Sequence, residues 1–198
     1  MREQFSLYIA GLYRGVPSSV YMELLLLLCF GTVLIVSFKG IRKGWKLIPG
    51  LLVLEYVFLI CCSTILYRPY KEVVGHNFTP YWSYVAIENG RIDLLAEIIM
   101  NVVVFVPVGL LLSCVSNRLK WWMVLLVGCG ISMSIELLQF VLKRGFSEFD
   151  DVFHNTLGCL IGIMIVALAK GIWQFCSFLF VPQWGKLPKE VGIMESSN

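Results

Sequence analysis

The chain has 198 residues, of which 58% are hydrophobic and only 15% are charged, and its mean hydropathy is +0.80. This apolar share exceeds that of a typical soluble domain, and the apolar residues stand in long runs, so lipid is the expected solvent. The net charge of +3 is small, and without a basic patch nucleic acid is not an expected partner. We therefore predict an all-α fold, a polytopic integral membrane helix bundle with about five transmembrane helices.

In chain order, the pattern predicts an N-terminal interfacial segment over 1–20, a five-helix membrane domain over 21–169, and an interfacial segment with a cytoplasmic tail over 170–198. The five predicted spans are Tyr21–Phe38, Leu47–Tyr67, Leu94–Val115, Trp121–Leu142 and Val152–Ala169. The apolar segment Ile172–Val181 is too short to cross a bilayer, so we expect it to be interfacial or to extend the fifth helix.

The loop between the first two spans sets the expected orientation. Residues 39–46 include four basic residues and no acid, and loops with this bias stay in the cytoplasm. Five spans then place the N-terminus outside and the C-terminus inside. Residues 68–93 and 143–151 are expected outside. The aromatic residues of the connection at 68–93 would form an interfacial belt.

Two polar stripes flank the turn between the fourth and fifth spans. Helical spacings of three and four put the members of each stripe on one face. The first stripe is Ser132, Glu136, Gln139 and Lys143, and the second is Asp151, Asn155, Gly158 and Gly162. The two glycines should let the fifth helix pack closely against its neighbours. Glu97 and Asn101 lie one turn apart on the third span. Because polar side chains within a bilayer usually face a protein interior or a wet cavity, we predict a shared cavity; the alternative is that these groups only join the helices.

Several local contacts are expected around this cavity. Spans three to five contain no Lys or Arg. A buried Glu136 would therefore be protonated, hydrogen-bonded by Gln139, Asn101 or Asn155, or met by Arg91 or Arg144 reaching inward. Asn155 should bond Glu136 or the opposing turn, and either Asp150 or Asp151 should cap the fifth helix.

No cofactor and no metal ion are expected. The seven cysteines lie in or beside apolar runs and include no Cys-x-x-Cys pair, so they are predicted to be small buried hydrophobes. His76 and His154 are far apart and lack the spacing of a zinc motif.

Four motifs resemble the VanZ-like family of small membrane proteins. They are NFTPY at 77–81, NVVVFVPVGLLL at 101–112, IELLQF at 135–140 and DDVFHNTLG at 150–158. The resemblance covers about residues 75–165, with Tyr81 in place of a usual phenylalanine, Glu148 in place of a usual aspartate, and His154 where the family has no histidine. It implies a bacterial cytoplasmic (plasma) membrane location and lowered susceptibility to teicoplanin or related lipid-bearing antibiotics.

The function that follows is non-enzymatic, with membrane lipids as partners. We expect binding of an envelope lipid, such as a lipid-linked cell-wall precursor, or of a glycopeptide antibiotic at an outer-leaflet cavity. The candidate binding residues are Asn77, Pro80, Asn101, Glu136, Gln139, Arg144, Asp151 and Asn155. The alternative is a membrane enzyme that modifies a lipid-linked envelope substrate, with Glu136 or Asp151 as acid/base, although no nucleophile or metal motif accompanies them. A transporter is a third reading, but no internal repeat is visible.

Overall fold

The computed structural model of the chain describes residues 16–39, 47–72, 75–116 and 119–180. Most of the predicted N-terminal segment, nearly all of the basic loop at 39–46, and the tail beyond residue 180 lie outside the described residues. The chain divides into two compact units, Met1–Val166 and Ala167–Asn198. The site described below belongs to the first unit.

Six helices and two short strands make up the described part of the chain. In order they are α1 (Ser18–Lys39), α2 (Ile48–Cys61), a π-helical turn (Cys62–Leu66), β1 (Gly75–Asn77), α3 (Trp82–Glu88), α4 (Asp93–Val115), α5 (Trp121–Val141), β2 (Phe146–Glu148) and α6 (Phe149–Phe180). Five of the helices are long and apolar enough to cross a membrane, which confirms the predicted all-α membrane bundle.

The fifth span is longer than predicted. It runs on through Lys170 and Gly171 as one helix to Phe180, so the aromatic segment after residue 171 is a helix extension. A single glycine weakens a helix by only about 1 kcal/mol and does not end it.

Glycines bring α4 and α6 into backbone contact. A Cβ atom at Gly158 would lie 2.1 Å from the carbonyl oxygen of Val102, and one at Gly162 would lie 2.2 Å from that of Val106. In return, a Cβ atom at Gly109 would lie 2.0 Å from the carbonyl oxygen of Cys159. The predicted close approach of the fifth span through its glycines is thus confirmed, as expected for membrane helices that associate through small residues.

The first unit has an apolar core beneath this contact. Phe105, Val108 and Ile135 are buried, at 2%, 0% and 4% exposure, and they pack in one cluster with Cys159. Large apolar side chains such as Leu26 of α1 stay exposed, which is the expected surface of a helix that faces lipid.

The predicted polar connection at 68–93 is ordered and partly helical. β1 pairs in parallel with β2, with Gly75 opposite Phe146 and Asn77 opposite Glu148. We call β1, α3 and β2 together the end layer, because they lie at the end of the bundle where α2 and α5 finish and α4 and α6 begin. Sequence periodicity did not reveal these elements, since three-residue strands and a seven-residue helix are too short to show one.

Asp150 fixes the end layer to the start of α6. Its carboxyl accepts hydrogen bonds from the backbone N–H of Tyr81 at 2.7 Å, from that of Ser83 at 3.0 Å, and from the Ser83 hydroxyl at 2.6 Å. Tyr81 has a left-handed backbone with φ of 62° at the start of α3. The Asp150 side chain therefore caps the N-terminus of α3. The sequence had predicted that Asp150 or Asp151 would cap the fifth span.

Candidate functional site

A polar cavity of about 100 Å³ lies between the helices next to the end layer. Its apolar lining includes Tyr56, Ile60, Met100, Phe105 and Ile135. Its charged and amide lining is Arg68, Glu97, Asn101, Glu136, Gln139, Asp151 and Asn155. Five of the eight predicted binding residues, from three different spans, thus line one cavity, as the two polar stripes indicated.

Glu136 is buried, with 7% of its surface exposed. Its carboxyl accepts a hydrogen bond from the backbone N–H of Glu148 at 3.0 Å. The partner is therefore a backbone donor of β2, which the sequence did not predict. A buried carboxyl requires such a donor, because an unpaired polar group away from water is costly.

Asp151 and Asn101 join α6 to α4 across the glycine contact. The Asn101 amide donates to the Asp151 carboxyl at 2.6 Å. The close backbone approach at Gly158 makes this short bond possible, since side chains one or two turns away are brought together with the backbones. The Asn101 amide therefore bonds Asp151. The sequence had suggested Glu136 as its partner.

Two further amides link neighbouring elements. The Asn155 side chain donates to the Ser132 hydroxyl at 2.9 Å, so the prediction that it bonds Glu136 or the opposing turn is wrong. The Gln139 side chain donates to the carbonyl of Thr64, in the π-helical turn, at 3.4 Å. Ser132, Gln139 and Asn155 are all buried, which agrees with the predicted stripes, whereas Lys143 is exposed in a left-handed turn with φ of 55°.

Arg68 is the cation of the cavity, and sequence reasoning missed it. Its guanidinium interacts electrostatically with both Glu136 and Asp151. A Cβ atom at Gly145 would lie 3.1 Å from Nη1 of Arg68 and 3.2 Å from Oε1 of Gln139, so both side chains lie against Gly145. The available signal was the position of Arg68 directly after the second span, at the same end of the bundle as the polar stripes.

The two arginines predicted to reach Glu136 have other partners. Arg91 forms an exposed ion pair with Asp93 at 2.8 Å. Arg144 donates to the carbonyl oxygens of Leu66 and, at 3.4 Å, of Arg68. Arg144 therefore supports the chain at the end of the π-helical turn, and the prediction of an inward reach is wrong.

Asn77 and Pro80 belong to the end layer and do not line the cavity. The Asn77 side chain accepts a hydrogen bond from the backbone N–H of Thr79 at 3.0 Å, and Pro80 is exposed. Their place in the structure indicates a role in shaping the turn before α3, where an Asx turn is common.

Glu148 lies in β2, next to the cavity and outside the spans. Its carboxyl accepts a hydrogen bond from the indole N–H of Trp82 at 2.9 Å, and Trp82 is half-buried. Burial, and after it the nearby Glu97, raise the pKa of Glu148 to about 7, although the Trp82 hydrogen bond opposes the shift. This carboxyl is therefore poised to change charge near neutral pH.

The histidines occupy structural positions in the described part of the chain. His154 is 1% exposed and its Nε2 lies 2.9 Å from the Tyr84 hydroxyl. His76 packs against the rings of Phe78 and Phe140. Among the described residues, no group of three or more His, Cys, Asp or Glu side chains is arranged to hold a metal ion.

Comparison with known proteins agrees with this arrangement of motifs. Residues 56–170, more than half of the chain, match the family model VanZ/LLP1. The chain belongs to the VanZ/LLP1 family. Over 94 residues it is 30% identical to Protein VanZ of Enterococcus faecium, an alignment that covers 48% of this chain and 53% of that protein. The chain thus spans about half the length of this curated relative. No solved structure matches the chain.

The region that matches the VanZ/LLP1 family model includes all of the spans that line the cavity except α1 and the start of α2. The matched region includes Arg68, the end layer and both polar stripes. The site geometry described here is therefore a feature of the family region of this chain. Chemically, it presents carboxyl and amide groups beside apolar side chains in one cavity.

Proposed function

We propose that this VanZ-like membrane protein lowers susceptibility to teicoplanin or related lipoglycopeptide antibiotics by engaging an amphiphile at the polar cavity. The amphiphile is an envelope lipid or the lipid-bearing antibiotic. The observation that carries the proposal is a polar cavity among helices that expose apolar side chains to their surroundings. Polar groups within a membrane domain mark functional sites more often than those on a surface.

The lining of the cavity suits a molecule that is polar at one end only. Arg68, Glu97 and Glu136 supply charge, while Met100 and Phe105 supply apolar surface in the same cavity. Its volume of about 100 Å³ is below the roughly 300–1,000 Å³ of typical ligand pockets. The cavity therefore accommodates part of a head group, and the remainder of the ligand would lie outside it.

In this proposal the cavity faces the outer leaflet of the bacterial cytoplasmic membrane. Support comes from the four basic residues of the loop at 39–46, which favour a cytoplasmic position for that loop. The cavity and end layer lie at the opposite end of α2 from this loop. A glycopeptide acts outside the cytoplasm, so this orientation would bring the cavity and the antibiotic to the same side.

Teicoplanin susceptibility of cells tests the proposal. Cells that express the wild type should tolerate more teicoplanin than cells without it, and Glu136→Gln should lose most of this protection while its membrane level is unchanged. Glu88→Gln removes one carboxylate from the exposed end of α3 and should behave like the wild type. Full protection by Glu136→Gln would remove the cavity from the mechanism, and no protection by the wild type would refute the antibiotic assignment.

A second candidate function is an integral membrane enzyme that modifies a lipid-linked envelope substrate. The observation that favours it is that Glu136 and Asp151, the two candidate acid/base residues, line the same cavity, as general acid–base chemistry requires. Purified protein incubated with lipid-linked cell-wall precursors would release a modified product by mass spectrometry under this reading. If the precursor stays unchanged even with one protein molecule for each precursor molecule, the result would support binding without catalysis.

A further inference from the structure

We propose that the cavity binds the primary ammonium group of a zwitterionic membrane lipid, with a phosphoethanolamine head group as the type, and that Arg68 faces the lipid phosphate. This inference rests on the proposed function, because it names the class of ligand for the same cavity. The hydrogen-bonding capacity, the charge and the size of the cavity lining favour this ligand.

The lining offers mostly hydrogen-bond acceptors. The Asn101 amide already donates to Asp151, and the Gln139 amide donates to the carbonyl of Thr64. Because the partners are a carboxyl and a carbonyl, the bonding atoms of these side chains must be their NH₂ groups. The amide oxygen of Asn101 accepts no hydrogen bond from the described residues and stays available as an acceptor, whereas Oε1 of Gln139 lies against Gly145 together with Nη1 of Arg68.

The carboxyl groups add further acceptor atoms. One oxygen of Glu136 accepts from the Glu148 backbone, and one oxygen of Asp151 accepts from Asn101. A carboxylate has two oxygens with about four acceptor sites, so each retains capacity for a ligand. An ammonium group with three N–H donors and no acceptor is the head-group element that matches such a lining.

Charge supports the same ligand. Glu97, Glu136 and Asp151 line the cavity together with Arg68, which is the sole Lys or Arg among its described lining residues. Arg68 interacts with both Glu136 and Asp151, so one guanidinium is shared by two carboxyls. An ammonium group would stabilise the ionised form of these carboxyls, whereas an anionic head group without an amine would add negative charge beside them.

Size and exposure place the two ends of the head group. A volume of about 100 Å³ is large enough for an aminoethyl group. Arg68 is half-buried, while Glu136 and Asn155 are buried. The ammonium group would therefore lie among the buried residues, and the phosphate would lie at the half-buried guanidinium, which binds phosphate well.

Binding of short-chain lipids to the purified full-length chain tests this inference. The probes are dioctanoyl phosphatidylethanolamine, its N-acetylated derivative, and dioctanoyl phosphatidylglycerol, each titrated in detergent and followed by native mass spectrometry. Acetylation removes the charge and two N–H donors but keeps the phosphate and both chains. We expect the ethanolamine lipid to bind at least ten-fold more tightly than either other lipid. Equal or tighter binding of the acetylated lipid or the glycerol lipid would overturn the inference.

Variants locate the binding. Glu136→Gln and Asp151→Asn should each reduce the preference for the ethanolamine lipid at least five-fold, whereas Glu88→Gln, which removes an exposed carboxylate, should keep it. A preference that is unchanged in both cavity variants would place the amine elsewhere and overturn the inference. The wild-type comparison between lipids needs no variant, so a cavity variant that does not fold leaves that test intact.

Two further comparisons separate the possible outcomes. Free phosphoethanolamine that binds as tightly as the lipid would refute a membrane lipid as the ligand. The wild type could show no preference for the ethanolamine lipid while Glu136→Gln still abolishes teicoplanin protection. That result would refute this inference and leave the proposed function intact. Conversely, ammonium binding by a chain that gives no teicoplanin protection would refute the antibiotic role and support the ligand class.

Discussion

The buried polar side chains of the site are held by partners from other elements. Glu136 of α5 accepts from the backbone of β2, Asn155 of α6 donates to Ser132 of α5, and Asn101 of α4 donates to Asp151 of α6. Each bond satisfies a group that would be costly to leave unpaired away from water. At the scale of single residues, these polar groups therefore both stabilise the bundle and shape the cavity.

Asp150 should contribute strongly to stability, because its carboxyl accepts three hydrogen bonds at the start of α3. We expect Asp150→Ala to lower the free energy of unfolding by about 1–2 kcal/mol, the typical value of an N-cap. Thermal unfolding in detergent would show a melting temperature lower by a few degrees. Asp93→Ala is the control, since Asp93 also lies in the first turn of a helix but is exposed and pairs with an exposed Arg91, and such pairs contribute little. Equal melting temperatures for the two variants would contradict the capping role.

Glu148 should make stability depend on pH. Its pKa is raised from an ordinary 4.5 to about 7 by burial and by Glu97. The folded state thus holds this proton more tightly than the unfolded state, so the contribution is full below pH 4.5 and is lost as pH rises through about 7. We expect the melting temperature of the wild type to fall between pH 5 and pH 8 more than that of Glu148→Gln.

The glutamine variant is a suitable comparison for this pH effect. Its amide oxygen can still accept the hydrogen bond from the indole of Trp82, which lies 2.9 Å from the carboxyl in the wild type. Trp82 also gives a local fluorescence signal beside the titrating group. Parallel pH profiles of the wild type and Glu148→Gln would show that other carboxyls cause the dependence.

At the scale of elements, the contact between α4 and α6 decides where the site residues meet. The helices approach through Gly158, Gly162 and Gly109, where any Cβ atom would overlap a carbonyl of the opposite helix. The same approach brings Asn101 to Asp151. A wider spacing of the two helices would therefore both loosen the bundle and open the cavity.

Alanine substitution at Gly158 tests this contact. The added Cβ would lie 2.1 Å from the Val102 carbonyl oxygen, so the helices must separate, and overpacking of this kind typically costs about 1–3 kcal/mol. Gly171→Ala lies on the same helix with nothing within 4 Å of its Cβ position and should be neutral or slightly stabilising. Melting temperatures in detergent distinguish the two variants, and an equally stable Gly158→Ala would refute the contact.

At the scale of the whole molecule, the orientation of the bundle decides which side of the membrane the cavity serves. The basic loop at 39–46 predicts a cytoplasmic position for that loop. A single cysteine at position 86, in α3, should react with an impermeant maleimide added to intact cells. A cysteine at position 42 should react only after permeabilisation. The reverse labelling pattern would place the cavity on the cytoplasmic side and refute an outer-leaflet ligand.

The sequence by itself determined the class of fold and the residues with most of the polar chemistry. Long apolar runs require a lipid environment, and helices satisfy their own backbone hydrogen bonds there, so spans can be recognised locally. Helical spacing also grouped Ser132, Glu136 and Gln139 correctly, because side chains three and four residues apart share a face. The close approach through Gly158 and Gly162 follows from the same local rule.

Only the tertiary structure decided how these residues pair and which cation reaches the cavity. The choice of Arg68 over Arg91 and Arg144 depends on where the π-helical turn after α2 lies relative to α5 and α6, and no local pattern encodes that distance. The bonds of Asp150 to Tyr81 and Ser83 and of Glu148 to Trp82 join residues more than sixty positions apart. Such contacts depend on the packing of several elements at once, which is why spacing along the chain identified the groups but not their partners.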